Sequence, residues 1–106
     1  MIATSLKLCA TEAVPLGEAL RVEVEGYPPL AVFHMNDGFF ITNDTCTHGV
    51  ASLAEGEIDL EDGIVECPWH SGAFDVATGK ACAAPCTRPL KVYPVHVEDG
   101  FVHLVE

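Results

Sequence analysis

Positive charge is scarce in this chain. Its 106 residues hold five Lys and Arg against sixteen Asp and Glu, a formal charge of −11. A surface of that sign repels phosphate backbones and anionic lipid, which excludes nucleic acid and membrane surfaces as partners and favours a basic patch on another protein. Long apolar runs are missing too. No stretch approaches the ~20 apolar residues of a membrane span. Residues 1–10 carry one charge, Lys7, and lack the apolar core of a secretion signal. The expectation is a cytoplasmic protein. Helical periodicity is also absent: seven prolines and nine glycines interrupt the chain, and residues 49–55 are the one marginal helical stretch. Cysteines are present in odd number, at Cys9, Cys46, Cys67, Cys82 and Cys86. Without a secretion signal, that argues against a disulfide framework and towards metal or redox use wherever cysteine stands beside histidine.

What is present is alternation. Apolar residues make up 49% of the chain, and a chain of this length buries about two-thirds of its unfolded surface, so one domain spanning residues 1–106 is expected. Leu20, Val22 and Val24 alternate with Arg21, Glu23 and Glu25, the period of a half-buried strand. Asp-Gly recurs at 37–38, 62–63 and 99–100, each time between apolar runs, and Thr78-Gly79 divides a fourth pair. Glycine supplies the positive φ that tight turns need, so these sites predict hairpins. The last hairpin pairs residues 90–97 with 101–105, with Pro94 at an edge or bulge position. The sum is an all-β, antiparallel domain, sandwich-like or barrel-like. Residues 43–84 read as a loop-rich insert between flanking strands.

That insert contains a near-repeat: Cys46-Thr47-His48-Gly49 and Cys67-Pro68-Trp69-His70-Ser71-Gly72. Two thiolates and two imidazoles, one of each per loop, suit zinc or an iron–sulfur cluster. Zinc fingers usually group their ligands by type. Alternating types suit a two-iron cluster, each loop sending Cys to one iron and His to the other. A structural zinc module on the same four residues is the alternative. Cys82 and Cys86 lack the plant-type ferredoxin spacing. With Cys9 they read as thiols or small core residues, and His34, His96 and His103 read as structural.

These motifs resemble Rieske-type ferredoxins, the small electron carriers of multicomponent aromatic-ring-hydroxylating dioxygenases. The resemblance spans essentially the whole chain. It is strongest at residues 46–49, 66–75 and 78–80, and weaker at Ala84-Pro85 and 90–95. It implies the Rieske fold, an antiparallel β-sandwich or barrel-like base with a small loop-rich cluster-binding subdomain. It also implies one [2Fe–2S] cluster, with Cys46 and Cys67 on the inner iron, His48 and His70 on the outer iron, and Pro85 in a covering loop. Gly49 and Gly72 would leave room for backbone N–H groups near the cluster sulfurs. The implied role is an electron carrier without catalytic residues, between a NADH-dependent flavoprotein reductase and a terminal oxygenase. A small subunit of another oxidoreductase, such as a nitrite reductase, is the alternative.

High-potential Rieske proteins of respiratory chains carry further devices, and the matching positions here lack them. Ala51 and Trp69 stand where those proteins place a disulfide between the loops, and Gly72 and Phe74 where they place hydroxyl donors. Hydrogen bonds to sulfur stabilise the more negative, reduced state, so their absence lowers the potential. Within the roughly −150 to +300 mV of Rieske centres, the low end is expected. Glu55, Glu57, Asp59, Glu61, Asp62 and Glu66 crowd the segment between the loops, as a docking face for basic partners or as a solvated one. Trp69 either packs on its loop or faces a partner.

Overall fold

The structure, a computed structural model, describes residues 5–47, 51–69, 72–84 and 88–105. Among these are eleven strands: Ser5–Ala10 (β1), Ala19–Val22 (β2), Leu30–Met35 (β3), Gly38–Asn43 (β4), Glu57–Asp59 (β5), Ile64–Glu66 (β6), Ala73–Asp75 (β7), Ala81–Ala83 (β8), Val92–Tyr93 (β9), Val95–Glu98 (β10) and Phe101–Val105 (β11). They form three sheets, ordered β1-β11-β10, β2-β3-β4-β9 and β5-β6-β7-β8. Every strand pairing in them is antiparallel. No α-helix occurs among the described residues, as expected. Of the marginal helical stretch 49–55, the described residues 51–55 form a 3-10 turn at Leu53–Glu55.

Strand β3 explains the layering. Its sequence, Leu-Ala-Val-Phe-His-Met, is apolar at five of six positions, and those five are buried. Side chains of a strand alternate between faces. Here Leu30 and Val32 join one cluster with Val14, Ile41, Val102 and Leu104. Ala31, Phe33 and Met35 join the other, with Leu53, Val65, Phe74 and Leu90. The middle sheet is thus apolar on both faces, with β10–β11 residues on one side and β6–β7 residues on the other. Register agrees: Val32 pairs with Ile41 and Phe33 with Phe40, each pair on one face.

The hairpins at Asp37-Gly38, Asp62-Gly63, Thr78-Gly79 and Asp99-Gly100 all form. Asp99 and Gly100 both have positive φ, 52° and 80°, the turn whose twist matches the flanking strands. Residues 90–97 are not one strand, however. Val92–Tyr93 pairs with β4, while Val95–Glu98 pairs with β11. Pro94 stands between them without an N–H to give either ladder, so the run breaks there and changes sheet. The N-terminal strand β1 went unforeseen, although Leu6 and Leu8 are the half-buried members of an alternating run. Within the insert, β5 to β8 make a sheet of their own, so it is less loop-rich than expected.

The β7–β8 turn is held from several sides. Asp75 Oδ1 accepts the N–H groups of Ala77 and Thr78, at 3.0 and 3.1 Å. Gly79 N–H donates to Asp75 O at 2.7 Å, and Leu90 N–H donates to Gly79 O at 2.6 Å. Gly79 has φ +81°, and an added Cβ would collide with the Leu90 carbonyl. Gly79→Ala therefore costs at least about 1–2 kcal/mol, the left-handed backbone penalty alone. Gly100→Asn, at φ +80° with no atom within 4 Å of the added Cβ, costs markedly less. Urea unfolding of both variants checks the ranking.

Candidate metal centre

The near-repeat in sequence is also a near-repeat in backbone. Thr45 and Ser52 form an isolated antiparallel bridge, and just inside it Cys46 N–H donates to Ala51 O at 3.0 Å. Between β6 and β7, Cys67 N–H donates to Gly72 O at 2.8 Å. Each loop is thus six residues long, opens on a cysteine and is closed by the same i→i+5 bond. Both cysteines are 2% exposed and belong to the same apolar cluster as Phe33, Leu53 and Phe74. Beyond Cys67 the chain turns outward: Pro68 is exposed, and Trp69 is 62% exposed. The Trp69 side chain is thus largely open to solvent.

Each loop is anchored at its base. Asp44 N–H donates to Pro29 O at 2.8 Å, and Asp44 O accepts from Leu53 N–H at 2.7 Å. Its carboxylate accepts from Ala54 N–H at 2.9 Å. Thr47 Oγ1 donates to Arg88 O at 3.1 Å and ties the first loop to the segment leading into β9. Tyr93 OH donates to Asn43 Oδ1 at 2.6 Å, and burial pushes the Tyr93 hydroxyl up, which keeps it a donor. Under the second loop, Gly56 lies so close to Glu66 that a Cβ would collide with the Glu66 carbonyl.

Of the four ligand candidates, the structure brings Cys46 and Cys67 into one cluster. His48 and His70 lie outside the described residues, as do Gly49, Pro85 and Cys86. Gly72 is buried, Ala51 is 1% exposed and Phe74 is fully buried. The position of the second hydroxyl donor is therefore filled by a phenyl ring in the core shared with both cysteines. Cys9 is half-buried and its thiol is pushed up by burial. Cys82 is exposed, with Sγ 3.4 Å from Lys80 O, so it is not a core residue. His34 stacks on Phe39 at 4.1 Å, with Nδ1 2.9 Å from Val14 O, a structural role as expected. His96 and His103 pair across β10 and β11, ring centres 6.2 Å apart. Asp44 and Thr47 were not singled out in advance. Their proximity to Cys46 was the available signal.

A pair of buried cysteines at the mouths of twin loops, each followed within three residues by a histidine in the sequence, fits a two-iron cluster with mixed ligands. A family model for the Rieske [2Fe-2S] domain matches residues 4–94. The chain belongs to the Rieske [2Fe–2S] family. Its cofactor is accordingly one Rieske-type [2Fe–2S] cluster. This Rieske chain is 51% identical over 94 residues to the ferredoxin component of the p-cumate 2,3-dioxygenase system of Pseudomonas putida, covering 88% of the chain and 78% of that protein. It is similar to the Sphingomonas yanoikuyae B1 ferredoxin, with a TM-score of 0.91 and 45% identity over 97% of the chain and 99% of the other. It is likewise similar to a chain in the complex of reduced oxygenase and oxidized ferredoxin in carbazole 1,9a-dioxygenase. There the TM-score is 0.87 and the identity 48%, covering 95% of this chain and 92% of that one. The Rieske fold expected from the motifs holds. No helix among the described residues is long and apolar enough to cross a membrane.

Proposed function

We propose that this chain carries single electrons from a NADH-dependent flavoprotein reductase to the terminal oxygenase of an aromatic-ring dioxygenase system in the cytoplasm. Cys46 and Cys67 hold one iron of the cluster, and His48 and His70 the other. The observation that carries this reading is the pair of six-residue loops, each opened by a buried cysteine against one apolar cluster. The ferredoxin names of its relatives, and the oxygenase complex of one of them, support the carrier role. Residues 1–106 then act as one domain, with the cluster site in the segment 43–84.

The cluster supplies the uptake and release of one electron. The chain holds it, tunes it and presents it. Phe33, Leu53 and Phe74 keep the cysteine side dry, and a dry setting disfavours added negative charge. Gly72 and Phe74 offer no hydroxyl to sulfur, which acts in the same direction. Pro68 and Trp69 mark the exposed end, where a partner approaches. All six acidic residues between the loops are exposed. Glu57 lies directly opposite Glu66 in the β5–β6 register, a like-charge pairing that costs the sheet stability. Basic groups on a partner relieve that repulsion, so this face docks the reductase or oxygenase.

Each of Cys46→Ser, Cys67→Ser, His48→Ala and His70→Ala reduces bound iron to background and removes the rhombic EPR signal, whereas Cys9→Ser and Cys82→Ser keep both. Iron analysis and EPR of the six proteins check this. Full iron with an unchanged spectrum in any of the first four contradicts the ligand set. The double variant Glu57→Gln/Glu66→Gln raises the KM for this carrier in reconstituted turnover about fivefold at low salt, equivalent to ~1 kcal/mol. It also flattens the salt dependence and leaves kcat in place. An unchanged KM assigns the face to solvation.

A further inference from the structure

We propose that Asp44 and Arg21 form a charge pair that sets the electron affinity of the centre, an inference that rests on Cys46 being a ligand. Asp44 is 1% exposed, one of two buried polar residues among those described. Its Oδ1 accepts the Ala54 N–H at 2.9 Å. Its Oδ2 faces Arg21 Nε at 3.7 Å, well beyond the ~2.7–2.9 Å of a charge-assisted hydrogen bond. The Arg21 side chain is 50% exposed, so its charge is shared with water. The neutralisation of Asp44 is therefore partial.

A full charge is not needed to anchor the loop. The amide oxygen of an asparagine would accept the same Ala54 N–H, without the cost of burying a carboxylate. What the carboxylate adds is a field. The Cα atoms of Asp44 and Cys46 are at most about 7 Å apart along the chain. The carboxylate belongs to a residue two positions before Cys46, and a buried charge is weakly screened by solvent and salt. Negative charge beside the site opposes uptake of an electron and holds the midpoint down, while the Arg21 guanidinium opposes Asp44 and holds it up. The two side chains thus act on the potential with opposite signs. Both are positioning residues, argued to act through Cys46.

The test is EPR-monitored potentiometric titration of the holoprotein and of Asp44→Asn, Arg21→Gln and Arg21→Lys. Asp44→Asn keeps the Ala54 acceptor and is expected to raise the midpoint. Arg21→Gln is expected to lower it, and Arg21→Lys to restore the wild-type value. All should keep the wild-type EPR line shape. The Asp44→Asn shift persists at about 1 M salt, where the Debye length is ~3 Å and surface charges are silent. Midpoints that stay put, or that move the same way in Asp44→Asn and Arg21→Gln, overturn the proposal, as does an Asp44→Asn shift that vanishes in high salt. If Asp44→Asn does not retain iron, Arg21→Gln decides alone: a lowered midpoint supports the pair and an unmoved one overturns it. Unmoved midpoints with the Rieske signal intact overturn this pair only, whereas full iron and signal in Cys46→Ser overturns the ligand reading.

Discussion

Packing of Cys46 and Cys67 into one apolar cluster against a face of strand β3 is the constraint from which the other features follow. Ala31, Phe33 and Met35 contribute that face, and the opposite face of the same strand is anchored by Leu30 and Val32 on the other core. A wall held from both sides moves little, because interiors are close-packed and transmit strain. The loops that leave it are short and closed at the base by equivalent hydrogen bonds. The core thus fixes where both cysteines sit, and the ligand role proposed for them draws on positions set by packing.

The same arrangement separates two requirements of an electron carrier. The inner side must be dry and chemically quiet, which Phe74 and Leu53 provide. The outer side must be reachable, which the steep passage from buried Cys67 to exposed Trp69 provides within two residues. Acidic side chains crowd the β5–β6 hairpin beside this passage, where Glu57 and Glu66 face each other. The missing hydroxyls at Gly72 and Phe74 and the Asp44 carboxylate proposed to act beside them bear on one quantity, the readiness of the centre to accept an electron.

Much of this was legible in the sequence because its signals are local. Asp99-Gly100 declares a tight turn by itself, and the Cys-X-His and Cys-X-X-His spacings point to the Rieske family without knowledge of the fold. What was not legible depends on distant partners. Residues 90–97 form one apolar run, and only the competing ladders of β4 and β11 show that Pro94 divides it. Strand β1 pairs with the far end of the chain, Ser5 with Val105, so six residues of weak alternation gave little warning. Asp44 is one acid among sixteen acidic residues. Its burial is decided by the closing of the loop that follows it, which no spacing rule anticipates.

Gly72 and Phe74, which carry no hydroxyl, and the −11 charge of the chain place the expected potential at the low end for a Rieske centre. Potentiometric titration of the purified protein near pH 7, followed by EPR, tests it directly. The expected result is a rhombic signal that appears only at low potential, with a midpoint close to about −150 mV. A midpoint well above zero would contradict the account. The Rieske site and the carrier role would stand, but the tuning argued from Gly72, Phe74 and Asp44 would not.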